Sequence, residues 1–379
     1  MRHLLGLLIV GGLVALGGCQ ARGCAGTERR GPPDLSRAAD GFTEPVAAAY
    51  ELQLTHLAAL ATSGEEISLA ARRRGGRLVY LRLSATRFQV EEVTPGALPG
   101  RPALGLTAAG APVIAAITAP TIGEKARIPP PPEAPREAVD GEGALRLLHR
   151  RGEELWRGEL LADRALEVQM AVSPEGAIHL VFLQPYGKLF QVNYLKVEGA
   201  ALGREIVGLS PKVAPALVLR DGLPVVAHAT ETGGLAVSTG REGGGFDPMP
   251  VGEASLTRRV LAFDLVEEEE AASLALLVST KNPAPDEPVA LHHRSLKNPL
   301  PAAEAKKRVR PRGTFPRSAI GSLSAGPRGA WLMQSAKTTY FGDATEAVRV
   351  PQLREAVLLH AGPYRIIGLD LDGRLRVGR

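Results

Sequence analysis

The chain has 379 residues, of which 45% are hydrophobic and 22% charged, and a formal net charge of +5. That apolar content supports a core and excludes wholesale disorder, and so mild a charge does not point to nucleic acid. Its 43 Gly and 30 Pro punctuate the chain too often for a protein of long helices, and its 2 Cys exclude a disulfide scaffold or a Cys-ligated zinc fold.

At the N-terminus, Arg2 precedes an apolar run from Leu4 to Leu16 that is interrupted only by Gly. It is too short to span a bilayer as a helix and has the length of a signal-peptide core. It ends in Leu16-Gly17-Gly18-Cys19, which resembles the bacterial lipobox: an apolar residue, two small residues, then Cys. The resemblance implies cleavage after residue 18, a thioether-linked diacylglycerol on Cys19 and acylation of the new terminus. An ordinary secretory signal with an incidental Cys is the plainer alternative. Acyl chains anchor because each buried methylene contributes about 0.8 kcal/mol. Gln20 stands where Asp would favour inner-membrane retention, so an outer-membrane address is favoured in a Gram-negative cell. No later stretch reaches the roughly 18 apolar residues of a spanning helix, so a globular, tethered body is expected. Residues 19–43, with Arg29-Arg30-Gly31-Pro32-Pro33-Asp34, read as a flexible spacer. Cys24, within it, is expected to be structurally idle, a disulfide to a partner being the sharper alternative.

From residue 44 to 379 the chain shows short apolar runs divided by Gly, Pro, Asp or Ser, the pattern of many short strands. Leu57–Ala61, Ile67–Arg72 and Leu78–Leu83 open the series. Ala103–Thr107 and Pro112–Thr118 flank Gly110. Two stretches compare directly. Ala171 to Phe182 turns at Glu175-Gly176 and continues into Leu189–Lys196. Leu217 to Ala227 turns at Asp221-Gly222 and continues into Leu235–Thr239. Gly176 and Gly222 stand 46 residues apart. Val260–Val266 and Ala272–Thr280, joined by Glu267–Glu270, follow, then Ser318–Ser324 and Ala330–Ser335. A period of about 40–50 residues with four strands per unit is that of β-propeller blades. The 165–250 region is similar to the sialidase-like, or BNR-type, propeller repeats of secreted bacterial proteins. The resemblance implies a propeller and does not by itself imply an activity.

The expected fold is therefore all-β, a propeller of seven four-stranded blades, with six blades or two β-sandwiches as alternatives. The units fall at 53–95, 101–162, 164–209, 211–252, 257–305 and 315–352. The tail 354–379 gives three further runs, Ala356–His360, Arg365–Asp370 and Leu375–Val377. Phe42–Tyr50 is expected to supply its fourth strand, so that N- and C-terminal strands close the ring and no sheet edge is left open. The Pro-rich insertion at 128–136 cannot continue a central strand and is expected as extended polyproline II on the surface, a stiff loop or a recognition segment.

Candidate chemistry is sparse. A sialidase needs a carboxylate pair or a Tyr nucleophile with an Arg cluster, yet the family's Ser-x-Asp-x-Gly-x-Thr-Trp box is absent and only Trp156 and Trp331 occur. Few aromatics leave few platforms for sugar rings. His292-His293 are adjacent, so on a strand they face opposite ways and cannot share one ion. His179 and His228 lie on matching strands at different places in the repeat. Asp370-Leu371-Asp372-Gly373 lacks the later ligands of a calcium loop and reads as a hairpin turn. No metal or cofactor is expected. Lys306, Lys307, Arg308, Arg310 and Arg312 form a basic stretch, read as a solvated inter-blade linker or a contact for an anionic partner. The reading that results is an exported, lipid-anchored, non-catalytic binding or scaffold module for a protein or envelope component. A sialidase-like glycoside hydrolase acting on envelope glycans is the alternative.

Overall fold

The computed structural model describes residues 54–61, 66–84, 88–94, 96–98, 100–151, 155–249, 251, 259–268, 271–279, 289–296, 313–315, 322–326, 330–334, 339–342, 347–350, 353–359, 366–370 and 375–378. Among them there are strands and turns and no α-helix. The first sheet is an antiparallel meander of β1 (Leu54–Ala61), β2 (Ile67–Arg73), β3 (Leu78–Leu83) and β4 (Phe88–Thr94) in sequence order. A continuous seven-stranded sheet follows: β5 (Ala103–Leu106), β6 (Pro112–Thr118), β7 (Gly143–Arg151), β8 (Leu155–Val172), β9 (Ile178–Tyr186), β10 (Leu189–Glu198) and β11 (Ala201–Ser210). It is two meanders sharing a strand. Leu155 to Ala165 of β8 pairs with β7, and Leu166 to Val172 pairs with β9.

Three more four-stranded meanders come next. They are β12 (Ala216–Arg220), β13 (Leu223–Ala229), β14 (Leu235–Gly240) and β15 (Phe246–Met249); β16 (Arg259–Glu268), β17 (Ala271–Ser279), β18 (Val289–Leu296) and β19 (Gly313–Phe315); and β20 (Ser322–Ala325), β21 (Trp331–Gln334), β22 (Thr339–Gly342) and β23 (Ala347–Val350). The last sheet has three described strands, β24 (Leu353–Leu358), β25 (Ile366–Asp370) and β26 (Leu375–Gly378). The turns obey local chemistry. Between β12 and β13, Arg220 pairs with Leu223, and the two linking residues Asp221 and Gly222 have φ of 51° and 75°. Two left-handed residues match the twist of a two-residue hairpin, and Asp and Gly accept that conformation more readily than β-branched residues.

The sheets are joined through their first strands. β1 packs on β5, β5 on β8, β8 on β12, β12 on β16, β16 on β20, β20 on β24, and β24 on β1. Apolar clusters fill the spaces between successive sheets. Tyr80, Ile114 and Leu148 lie between the first two meanders, Leu161, Leu180 and Phe182 at the β8 junction, and Val181, Leu183 and Val226 beyond it. Val237, Leu265 and Leu274 form the next cluster, then Leu291, Trp331 and Met333, then Leu332, Phe341 and Ile366. The final cluster joins the last sheet to the first, through Leu369 and Val377 against Leu57 and Leu81. Strands covered on both faces read as unbroken apolar runs. β6 is buried at all its positions, whereas β11, outermost in its meander, is exposed or half-buried at every position but Ser210.

This succession of meanders, innermost strand on innermost strand, is the propeller arrangement that the repeats predict. Two expectations need correction. The fourth strand of the fifth meander is Gly313–Phe315, which pairs with β18. Residues 297–312, with the basic stretch, therefore connect two strands of one sheet instead of linking two units. The Pro-rich insertion is not simply an extended surface segment. Ile128 forms a parallel bridge to Ala162, Pro131 is buried, and the Ala134 N–H returns to the Pro131 carbonyl at 3.0 Å. The strand expected at Phe42–Tyr50 lies outside the described residues.

Candidate binding cavity

Meanders place the loops between second and third strands, and the links from one sheet to the next, at the same end of the strands. At that end of the first two meanders lies a cavity of about 150 Å³. Its floor is apolar, from Leu98, Ile117, Leu166 and Val168. The segment that walls it is fixed by backbone hydrogen bonds. Ala97 N–H donates to Gly76 O at 2.7 Å, Leu98 N–H to Ile117 O at 3.0 Å, and Ala119 N–H to Gly96 O at 2.9 Å. Gly143 permits this closeness: a Cβ there would stand 2.4 Å from the Thr118 carbonyl oxygen and 2.5 Å from Leu98 Cδ1.

Charged groups line the cavity from separate elements: Arg72 from β2, Arg101 from the β4–β5 link, Asp140 from the β6–β7 insertion, Glu167 from β8 and Lys212 from the β11–β12 link. Glu167 is the extra residue of a β-bulge between Leu166 and Val168, with φ of 44°, and is exposed. Bulges re-aim a side chain at the expense of regular pairing. The device recurs in first strands: β1, β16 and β24 are also bulged, at Thr55/Leu57, Val260/Ala262 and Leu353/Glu355. The Lys212 ammonium donates to the Asp140 backbone carbonyl at 2.6 Å. Arg72 Nε is buried with no hydrogen-bond partner among the described residues.

Arg164 makes the most hydrogen bonds to the insertion that carries Asp140. Arg164, at φ of 54°, donates to both Glu142 carboxylate oxygens and to the carbonyls of Pro135 and Glu137. Glu142 Oε2 also accepts the Val139 N–H at 2.9 Å. The Gly187 N–H of the β9–β10 turn donates to Glu133 O at 3.0 Å. The Pro-rich segment is thus pinned across the β8 junction.

Other ionisable groups are engaged in holding the fold. The Asp264 carboxylate on β16 accepts the Leu265 N–H at 2.9 Å and, across the sheet boundary, the Ala325 N–H at 2.8 Å. Burial pushes its pKa up to about 6, against the opposing pull of the two N–H donors and the Arg101 charge. Glu355 on β24 does the same work at the next boundary but one, accepting the Leu57 N–H of β1 at 2.9 Å, with His56 Nδ1 3.4 Å from its other oxygen. His179 Nδ1 is 2.6 Å from the Tyr194 hydroxyl; burial lowers the His179 pKa to about 4 and raises that of Tyr194. The His228 ring lies so close to Gly208 of β11 that a Cβ there would meet it at 2.7 Å. Its Nδ1 lies 3.0 Å from the Ala229 carbonyl, and burial lowers its pKa. His292 and His293 pair with Leu276 and Ala275, which puts them on alternate faces of β18. Among the described residues no three His, Cys, Asp or Glu side chains gather closely enough to hold a metal ion.

Cys19 and the basic residues Lys306, Lys307, Arg308, Arg310 and Arg312 lie outside the described residues. The cavity residues are ones that sequence reasoning passed over. Arg72 begins Arg72-Arg73-Arg74-Gly75-Gly76, a visible basic turn, but nothing local distinguishes Arg101 or Glu167 from other surface charges.

No protein-family model and no curated protein matches the chain. Solved structures with a related shape include a protein of unknown function from Dyadobacter fermentans, 12% identical, with a TM-score of 0.45 over 78% of this chain and 92% of that one. The SapL1 lectin, solved with alpha-methyl fucoside, is 12% identical, with a TM-score of 0.47 over 79% and 96%. The Aleuria aurantia lectin, described as a six-bladed β-propeller, is 9% identical, with a TM-score of 0.45 over 78% and 95%. Likeness at this level leaves blade number and ligand to be argued from the chain itself.

Proposed function

We propose that the protein is a lipid-anchored propeller of seven blades that serves the cell envelope as a non-catalytic binding module. Seven blades are supported by the cyclic packing of first strands and by the apolar cluster that joins β24–β26 to β1–β3. A ring closed in this way buries the inner edges and presents its loops on a rigid frame, which suits recognition. The anchor rests on Leu16-Gly17-Gly18-Cys19 and the apolar run before it. Gln20 favours delivery to the outer membrane in a Gram-negative host. The observation that carries the binding role is the cavity at the connection end, with an apolar floor and charged groups of both signs converging on it.

The anchor is tested by replacing Cys19 with Ala and fractionating cells. Release of the protein from membranes, with loss of incorporated labelled fatty acid, is expected; a variant that stays membrane-bound overturns the anchor. The binding role is tested by cross-linking the anchored protein in native membranes. Specific adducts through the connection end are expected, and adducts confined to the opposite end would overturn the assignment of this face.

A further inference from the structure

The cavity is lined by charged side chains that make no ion pair with one another, although the Arg101 charge also acts on the Asp264 carboxylate. Among the described residues, none of the ion pairs involves the side chains of Arg72, Arg101, Asp140 or Glu167. Paired to each other, these groups would describe a salt-bridge network. Left apart around one apolar floor, they describe the complement of a ligand with both charges.

We propose that the cavity binds a small zwitterion, a free α-amino acid with an aliphatic side chain. The ligand carboxylate meets the guanidinium groups of Arg72 and Arg101, whose planar donors suit a carboxylate. Its ammonium meets the carboxylate of Glu167, which the bulge in β8 holds out of regular pairing. Its aliphatic side chain lies on Leu98 and Ile117. The size agrees: about 150 Å³ is the room of about five water molecules at ~30 Å³ each. That leaves room for a group the size of one amino acid. A simple anion would leave Glu167 opposed, and a simple cation would leave both arginines opposed. Only a ligand with both charges answers all three. This adds a small-molecule ligand to the binding module without requiring the membrane partner.

The test is calorimetric titration of the full acylated protein in detergent micelles. The probes are L-leucine, L-alanine, 4-methylpentanoate (no ammonium) and isoamylamine (no carboxylate). Leucine is expected to bind, and both single-charge analogues to bind at least tenfold more weakly. Arg101→Met and Glu167→Gln are each expected to weaken leucine binding at least tenfold. Both lie outside the buried clusters, and an unchanged thermal midpoint checks that each has folded. Arg72→Lys, which keeps the charge and loses the planar fork, is expected to fall between. Equal binding of either analogue, leucine binding unchanged in both variants, or no heat from leucine or alanine up to 10 mM overturns the proposal. Its failure is distinct from that of the anchored-module reading. If Cys19→Ala is released from membranes while leucine gives no heat, only the amino-acid site falls.

Discussion

Two junctions between neighbouring sheets solve the same problem with different means. At β8 the chain itself crosses the junction, so one strand is hydrogen-bonded to β7 and then to β9, over a core containing Leu161, Leu180 and Phe182. At the junction of β24 with β1 the partners are almost 300 residues apart in sequence. There the apolar contact of Leu369 and Val377 with Leu57 and Leu81 is supplemented by one carboxylate, Glu355, on the Leu57 N–H. Asp264 plays the equivalent part between β16 and β20. Where the backbone is continuous, the shared strand itself joins the two sheets, and the apolar core and the pinned Pro-rich segment add to it. At β24–β1 and β16–β20 it is not, and there a carboxylate supplies a hydrogen bond between the sheets; the raised pKa of Asp264 makes its link sensitive to pH.

Substitutions separate the two designs. Phe182→Ala at the continuous junction should have the largest effect, about 3–5 kcal/mol of stability, because it opens a cavity that the tightly paired β8 and β9 cannot fill. Denaturant unfolding measures it, and a loss below 1 kcal/mol would mean that this core is not closely packed. The Asp264 link should come next. Its folded pKa of about 6 lies above the ordinary 3.8, so the folded state binds the proton more tightly than the unfolded chain does. Its contribution is then fully present below about pH 4, is lost as pH rises towards 6, and is level above that, a change of about 3 kcal/mol at most. Thermal midpoints across this range should fall with pH in the wild type and fall less in Asp264→Asn; parallel profiles would remove Asp264 from the account.

Glu355→Ala leaves the Leu57 N–H without its acceptor, at a cost of about 1–3 kcal/mol. Hydrogen exchange should quicken at Leu57 and its neighbours in β1 and leave β8 unchanged. Equal quickening in both places would show that the two junctions open together and abolish the contrast. Arg164→Ala removes hydrogen bonds to three residues, one of them the buried Glu142 carboxylate, and is expected to cost about 1–3 kcal/mol, felt locally in the insertion. Limited proteolysis should then cut within 129–142, while the wild type resists there.

Much of the β-strand pattern is legible in the sequence because each turn is a local event. Asp221-Gly222 reads as a hairpin from the two residues alone, and its alignment with Glu175-Gly176 sets the repeat. Unit boundaries at 101–162, 164–209 and 211–252 fall within a few residues of the strands observed. The error at the fifth unit has a physical source. Gly313–Phe315 is a three-residue strand with no apolar run, and it is defined by its pairing with β18, whose paired residues lie more than twenty positions away in the chain. The cavity is hidden for a related reason. Arg72, Arg101, Asp140, Glu167 and Lys212 span more than a hundred residues of chain, and only the stacking of neighbouring meanders brings them to one opening.

By itself the sequence determined the all-β class, the repeat length and the places of most turns, since each of these depends on residues close together in the chain. The tertiary structure alone decided the joint role of β8, the pinning of the Pro-rich insertion by Arg164, the carboxylate links of Asp264 and Glu355, and the gathering of charges over Leu98 and Ile117. These depend on which sheet packs against which, and long-range packing leaves no mark in the local pattern of residues.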